Sequence, residues 1–137
     1  MKKYIVGELV EAEESGEGYR VYHKDDMESY CPKDLFDKVY LEIDDNKDLP
    51  SGVSIGQKMV DDFIDKVESM TMGEKTTVTQ ITLKNGFIIT ESSSCVDPKN
   101  YSMEIGEEVN LEHAKNKIWE LLGFLLQTAY QGFNKSE

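Results

Sequence analysis

The chain is organised around the stretch Thr79–Asn100, which reads TQITLKNGFIITESSSCVDPKN. Two apolar runs of strand-forming residues flank its central Asn85-Gly86 pair. This pair is a strong hairpin signal, because both residues tolerate the positive φ angles of a type I′ turn. The stretch therefore predicts a β-hairpin, then a polar corner that leads into a long helix. Such an arrangement can enclose a small ligand, although the same pattern is also typical of a purely structural hairpin.

The composition indicates a folded, acidic protein. The chain has 137 residues, of which 39% are hydrophobic and 31% charged, and this length suits one domain or two small lobes. The net charge of −12 opposes DNA binding, which needs several cations on one face. A small anionic ligand needs only a few N–H donors and one or two cations. The charge therefore argues against DNA or membrane binding and leaves a nucleotide pocket open.

Neither a membrane anchor nor a metal site is expected. No apolar run in the sequence is long enough to span a bilayer, and charge interrupts the first residues too soon for a secretory signal. We therefore expect a cytosolic protein. Cys31 and Cys95 lack a CxxC partner, and His23 and His113 are far apart in sequence. Two ordinary thiols are a better interpretation than a zinc site, and we expect no metal and no cofactor.

Residues 1–43 are predicted to form a β-hairpin and a short helix. Their apolar residues occur in short runs separated by acidic or glycine-containing turns. The predicted order is a strand at Tyr4–Val10, an acidic loop at Glu11–Gly18, a strand at Tyr19–His23, a turn at Asp25-Asp26, a returning strand at Met27–Cys31 and a helix that begins with Pro32. Proline suits the first helical position, because its missing N–H would have no partner there.

Residues 53–137 are predicted to hold a second helix, the β-hairpin and the long C-terminal helix. The preceding residues 44–52 have the composition of a linker, with one compact domain as the alternative. Ser54 and Gln57 have the spacing of a capping box at the start of the second helix. Its apolar residues recur at helical spacing until Gly73 ends it, and they are Ile55, Met59, Phe63, Val67 and Met70.

The long C-terminal helix, from Gly106 to about Tyr130, has an apolar stripe that is broad for a chain of this size. The stripe consists of Leu111, Ala114, Ile118, Leu121, Leu122, Leu125 and Ala129. Part of it is expected to pack against another copy of the protein. Gly123 in the middle favours either close helix approach or a kink. The elements together predict an α+β fold, with an antiparallel β-sheet in the N-terminal and central parts and a long C-terminal α-helix.

Several motifs in order resemble a family of small phage and prophage proteins, over about residues 75–130. These motifs are Leu83-Lys-Asn-Gly-Phe87, Glu91-Ser92, Cys95-Val-Asp-Pro-Lys-Asn-Tyr101, Glu104-Ile-Gly106 and Ala114-Lys-Asn-Lys-Ile-Trp-Glu-Leu-Leu-Gly-Phe-Leu-Leu126. A second segment, Gly18–Tyr22 with Glu28–Lys33, is similar to one common in small phage proteins, with Tyr30 in place of the usual tryptophan.

One characterised group in that family is the anti-Thoeris sponges. They bind the cyclic ADP-ribose isomer made by TIR-domain defence proteins and sequester it without cleaving it. The resemblance implies the same role here, in the host bacterial cytoplasm and as a homo-oligomer (dimer or hexamer), with cyclic oligonucleotides as a further ligand class. The chain departs from many relatives in its single arginine, Arg20, and in Glu107 and Glu108 where they often carry Arg or Lys.

A cyclic ADP-ribose needs an aromatic platform for adenine, polar partners for its ribose hydroxyls and donors for its pyrophosphate. The candidates are Phe87, Tyr101 and Trp119 for adenine, Glu91 and Asn100 for ribose, and Ser92, Lys117, Arg20 and the backbone N–H groups of residues 92–96 for the pyrophosphate. Each has a plainer interpretation, since Phe87 and Trp119 also suit a core and Lys117 also suits a solvated helix face.

Catalysis is not expected from this sequence. The run Ser92–Cys95 offers nucleophiles without an evident base, and no hydrolase or metalloprotease motif is present. Two non-enzymatic alternatives remain beside the sponge. One is an interaction protein that blocks a host protein through its acidic N-terminal half, and the other is a structural phage protein.

Overall fold

The computed structural model describes residues 1–135, and its fold is α+β. Its elements in chain order are β1 (Glu11–Ser15), β2 (Gly18–Tyr22), β3 (Glu28–Pro32), α1 (Lys33–Val39), β4 (Asp44–Asp45), β5 (Val53–Ser54), α2 (Gln57–Asp62), β6 (Ile64–Met72), β7 (Thr76–Leu83), β8 (Ile88–Ser94), a 3-10 turn (Pro98–Asn100) and α3 (Met103–Gln131). Antiparallel sheets in the N-terminal and central parts and the long C-terminal helix confirm the predicted fold class.

The chain divides into two compact units. One comprises Met1–Ser54 with the residues from Gly123 onward, and the other comprises Ile55–Leu122. None of the helices within residues 1–135 has the length and apolar character needed to cross a lipid bilayer.

The first unit contains a three-stranded antiparallel sheet in the order β1-β2-β3. Two predictions are wrong here, since Tyr4–Val10 forms no strand and the acidic run Glu11–Ser15 does. Gly16, with φ of 62°, turns the chain so that β1 pairs with β2. Backbone pairing at this tight turn therefore determines the strand, while its glutamates remain exposed at the sheet edge.

Helix α1 packs on this sheet through aromatic stacking. The ring of Phe36 lies between those of Tyr19 and Tyr40, with centroid distances of 3.9 and 4.6 Å. The helix has seven residues, and Pro32 is its N-cap rather than its first residue.

The predicted linker at residues 44–52 is instead part of a short hairpin. Strands β4 and β5 pair with each other, and the Asn46 N–H donates to the Gly52 carbonyl at 2.8 Å. Gly52 has φ of 76°, which glycine adopts without strain.

The second unit contains the sheet β6-β7-β8. Its first strand, β6, lies where the second half of a long helix was predicted, and that prediction is wrong. Helix α2 has only six residues and is capped by Gly56 without a side-chain bond, so Ser54 is not its cap. Residues 64–72 form a strand in which the Ser69 hydroxyl faces inward and Met70 is 55% exposed. The apolar residues happened to lie at helical spacing, whereas burial alternates from Val67 to Met70, as in a strand.

The Asn85-Gly86 hairpin is confirmed, but its turn type is not. Gly86 has φ of 88°, while Asn85 is not among the described residues with positive φ. The Gly86 N–H donates to the Leu83 carbonyl at 2.9 Å, and the Leu83 N–H donates to the Phe87 carbonyl at 2.8 Å. These bonds define a three-residue loop ending in a left-handed glycine. The Asn85 side chain accepts from the Phe87 N–H at 3.0 Å, so it acts as a cap and needs no positive φ.

Helix α3 packs on the inner face of β7 through its first half. It begins at Met103, earlier than predicted, and buries a column of residues four apart, namely Asn110, Ala114, Ile118 and Leu122. The approach is close at Gly106, where an added Cβ would lie 2.1 Å from Thr77 Oγ1. Gly123 plays no such part, because an added Cβ there meets nothing within 4 Å and the helix continues through it.

The two glycines of α3 give a matched test of this packing. We expect Gly106→Ala to destabilise the protein by about 1–3 kcal/mol, because the methyl group overlaps Thr77. We expect Gly123→Ala to stabilise it by about 1 kcal/mol, because alanine is the better helix former and space is free. Urea unfolding of both variants and the wild type measures the difference, and equal effects would contradict the close contact.

Candidate functional site

An open groove lies between the start of β8 and the middle of α3, within the second unit. Its volume is about 480 Å³. It is lined by Phe87, Ile88, Ile89 and Thr90 on the sheet side, and by Lys117, Glu120 and Leu121 on the helix side. The helix residues are three and four positions apart, so they share one face. The groove thus combines an apolar floor with one cation and one carboxylate.

The Phe87 ring and the Ile88 side chain are each 53% exposed. They occupy the point where the hairpin loop enters β8, so the side chain of Phe87 is not used in the core. An exposed aromatic ring next to an apolar wall suits a flat ligand such as a nucleobase.

A cluster of charged side chains adjoins the groove. Lys117 donates through Nζ to Oε2 of Glu91, and Nδ1 of His113 lies 3.9 Å from Oε1 of Glu91. The Glu91 side chain is only 12% exposed, while those of Lys117 and His113 are 55% and 56% exposed. His113 and Lys117 are one helical turn apart, so both face the same strand. The carboxylate is thus held beneath two basic groups that remain open to solvent.

Tyr101 and the start of α3 belong to a separate network of hydroxyl groups, of which those of Thr77 and Thr79 are buried. The Tyr101 hydroxyl lies 2.7 Å from Thr71 Oγ1 and 2.9 Å from Thr77 Oγ1. The amide of Asn110 donates to the Thr77 carbonyl at 3.1 Å and to Thr79 Oγ1 at 2.9 Å. Tyr101 is therefore engaged in holding the helix on the sheet.

The remaining predicted residues do not join the groove. Asn100 lies in the exposed 3-10 turn beyond the far end of β8, and that seven-residue strand spans roughly 20 Å. Ser92 is exposed on the sheet face opposite to Glu91, since neighbours along a strand alternate. Arg20 belongs to the first unit, where its Nη1 lies 3.4 Å from Oε1 of Glu28.

Trp119 is 36% exposed and is not among the residues that line the groove. It is one turn from Lys115, whose Nζ lies 3.0 Å from Oδ1 of Asp61. The hydrogen bond from Lys115, supported by Gln57, lowers the pKa of Asp61. This side of α3 therefore faces α2, while Lys117 faces β8.

The structure thus brings Phe87, Glu91 and Lys117 together and places Asn100 with Tyr101 at the other end of β8. Sequence reasoning missed five groove residues, namely Ile88, Ile89, Thr90, Glu120 and Leu121. Helical spacing from Lys117 identifies the last two once the facing strand is known. Within residues 1–135, no three His, Cys, Asp or Glu side chains are grouped closely enough to hold a metal ion.

Comparison with known families identifies the second unit. Residues 55–130 match the phage protein (N4 Gp49/phage Sf6 gene 66) family, and this span is more than half of the chain. The chain belongs to this family. No curated protein and no solved structure matches it significantly. The matched span of this phage protein contains the groove, the Glu91 cluster and most of α3, whereas β1, β2 and β3 lie outside it.

The ion pair beside the groove of this phage protein should be energetically coupled. We expect a double-mutant cycle with Glu91→Gln and Lys117→Gln to give a coupling of about 0.5–1 kcal/mol, since the carboxylate is mostly buried but the lysine is exposed. The exposed pair Lys33–Asp37, with side chains 62% and 57% exposed, is the control and should give a smaller coupling. Urea unfolding measures both couplings, and equal values would contradict a special role for Glu91.

Proposed function

We propose that this phage protein binds and sequesters a cyclic ADP-ribose-type immune signal, and so blocks Thoeris (TIR) signalling. The observation that carries the proposal is the pairing of an exposed aromatic ring, Phe87, with an exposed cation, Lys117, across one groove. The ring suits an adenine, and the cation suits a phosphate. The resemblance to the sponges supplies the ligand class. Cyclic oligonucleotides present the same groups and are a second ligand class within the proposal.

The charged cluster supports the binding of both ends of such a ligand. Lys117 and His113 are open to solvent, so their polar hydrogens can reach a phosphate at the groove mouth. The carboxylate of Glu91 accepts hydrogen bonds, which suits the paired hydroxyls of a ribose. A volume of about 480 Å³ falls in the usual range for small-molecule sites.

We propose retention of the ligand without cleavage, in the host bacterial cytoplasm. The groove surface is mainly apolar, with Thr90 as the hydroxyl on its sheet side. A sponge needs slow release rather than a nucleophile and a base, and apolar walls with a few polar contacts favour tight binding.

We also propose that the protein acts as a homo-oligomer. Phe124 is 73% exposed and Leu125 is 50% exposed, next to each other on α3. Large apolar side chains exposed side by side on a helix are typical of protein–protein contacts. A second subunit would shield them from water.

A protein-blocking role is the second candidate, favoured by one face of the β1-β2-β3 sheet. Cross-strand register places Tyr22 between Glu11 and Glu28, and Arg20 between Glu13 and Tyr30. An exposed face with two tyrosines and three glutamates suits a basic protein surface. Calorimetry with cyclic ADP-ribose isomers distinguishes the two roles, because a protein blocker would show no binding heat.

Ligand capture and release is the direct test of the sponge. The protein is incubated with the cyclic ADP-ribose isomer, separated from free ligand and heat-denatured, and the released nucleotide is analysed by chromatography. We expect intact ligand to be recovered. Recovery of a linear product would show an enzyme, and recovery of no nucleotide would refute the sponge.

The same assay locates the site. We expect Phe87→Ala to weaken binding roughly tenfold or more, since stacking of a base on an aromatic ring contributes about 1–3 kcal/mol. Lys117→Gln should weaken it through loss of a phosphate contact. Met72→Ala, at a side chain 58% exposed on β6, is the control and should bind normally. If Asn100→Ala abolishes retention while Phe87→Ala does not, the ligand sits at the polar corner instead.

The oligomer has its own test. We expect Phe124→Glu to lower the molar mass measured by light scattering toward the 15.6 kDa of one chain, because a charge cannot be buried cheaply in an apolar contact. Leu35→Glu, at an apolar side chain 51% exposed on α1, is the control and should leave the mass unchanged. A wild type that is monomeric at all concentrations would refute the homo-oligomer.

A further inference from the structure

The segment Tyr4–Val6 is extended, apolar and exposed. Its three side chains, Tyr4, Ile5 and Val6, are 82%, 80% and 84% exposed. No backbone hydrogen bond joins these residues to any other residue in the described part of the chain. Three consecutive large apolar residues in this state are unusual for a folded chain.

The base of this segment is anchored to the first unit. Oε1 of Glu8 lies 2.8 Å from Nδ1 of His23, and the second ring nitrogen of His23 bonds the Ser29 hydroxyl at 2.7 Å. Gly7 lies so close to the end of α3 that an added Cβ would be 2.9 Å from Thr128 Cγ2. Gly7 and Glu8, which follow the segment, are therefore held in place.

The residue types of the segment favour a strand. Tyrosine, isoleucine and valine are among the strongest strand formers. The sequence therefore predicts a strand at Tyr4–Val10, and the structure of the single chain does not contain it. A strand needs a neighbour for its backbone groups. The neighbour must then come from another molecule.

The second unit offers an unprotected strand edge. Natural edge strands carry charges, prolines or bulges that prevent unwanted pairing. Edge strand β1 carries three glutamates, β3 ends in Pro32, and β6 has a bulge between Ile64 and Lys66. Edge strand β8 has a single charge, Glu91, which pairs with Lys117 and is 12% exposed. Strand β8 thus lacks the protection that the other three edges of the three-stranded sheets have.

We propose that the segment Tyr4–Val6 of one copy adds as an extra strand to the β8 edge of a second copy. This inference rests on the proposed homo-oligomer and not on ligand capture. The added strand places its apolar side chains next to Ile88, which is 53% exposed. Burial of these groups and pairing of the backbone edge both favour the contact.

Charge complementarity supports a second copy as the occupant. Residues 1–6 carry Lys2 and Lys3 and no carboxylate, while the rest of the chain has 13 Lys and Arg against 27 Asp and Glu, a net charge of −14. A basic segment is attracted to an acidic body. Electrostatic attraction therefore steers the basic segment of one copy toward the acidic surface of another copy.

Ile5→Pro tests the segment directly. Proline removes an N–H that makes no bond within one chain, so the fold of the chain should survive, while an added strand loses a ladder bond. We expect the association measured by sedimentation without ligand to weaken at least tenfold. Hydrogen exchange at Ile88–Ser94 should rise in parallel. Ile5→Val keeps a strand-forming residue and should associate as the wild type does.

Ile88→Lys tests the receiving edge, with Met72→Lys as the matched control. Both side chains are exposed, at 53% and 58%, on the two edge strands of one sheet. We expect loss of association for Ile88→Lys and no change for Met72→Lys. If Ile5→Pro leaves mass and exchange unchanged while Phe124→Glu lowers the mass, the homo-oligomer stands and the added strand is refuted. A monomeric wild type refutes both.

Discussion

The seating of α3 on the inner face of β7 is the contact on which the second unit depends. Gly106 lets the helix backbone reach Thr77, and the Asn110 amide then bonds the Thr77 carbonyl and the Thr79 hydroxyl. Lys117 is seven residues, or two helical turns, beyond Asn110, so it lies on nearly the same side of the helix. The position of Lys117 against Glu91 therefore follows from a helix register that is fixed two turns earlier.

That register is fixed by buried polar groups, one of which lacks a partner. Thr77, Thr79 and Asn110 are fully buried, and Oδ1 of Asn110 has no hydrogen-bond partner among the described residues. A buried unpaired acceptor costs about 1–3 kcal/mol. An apolar seam would avoid the cost, but leucine and valine side chains can slide by a turn, whereas directed amide bonds cannot. The column Ala114, Ile118 and Leu122 supplies the apolar burial, and Asn110 determines where it is seated.

Local chemistry made the hairpin and α3 predictable from sequence. Asn85-Gly86 connects two strands through a positive φ angle that glycine adopts without strain. Helix α3 has enough apolar residues for the helical spacing of its apolar positions to be unambiguous. Strand β6 was missed because Val67 and Met70 are three apart, a spacing that fits a helix. The side chain that shows the true period is Ser69, which bonds Thr79 and Glu107. A half-buried serine is read from sequence as exposed until its partner on another element is known.

The candidate site was predictable in its residue types but not in its grouping. The aromatic, carboxylate and cation occur in the motifs, yet Phe87 and Asn100 are separated along β8 by roughly 20 Å. The residues Glu91–Tyr101 are close in sequence, which suggested a single corner. The sequence does not show that an extended strand covers a much larger distance than a turn with the same number of residues. A ligand much smaller than this separation contacts only one end within a single chain. Within one chain, the Phe87 end and the Asn100 end of β8 are therefore alternative positions for such a ligand.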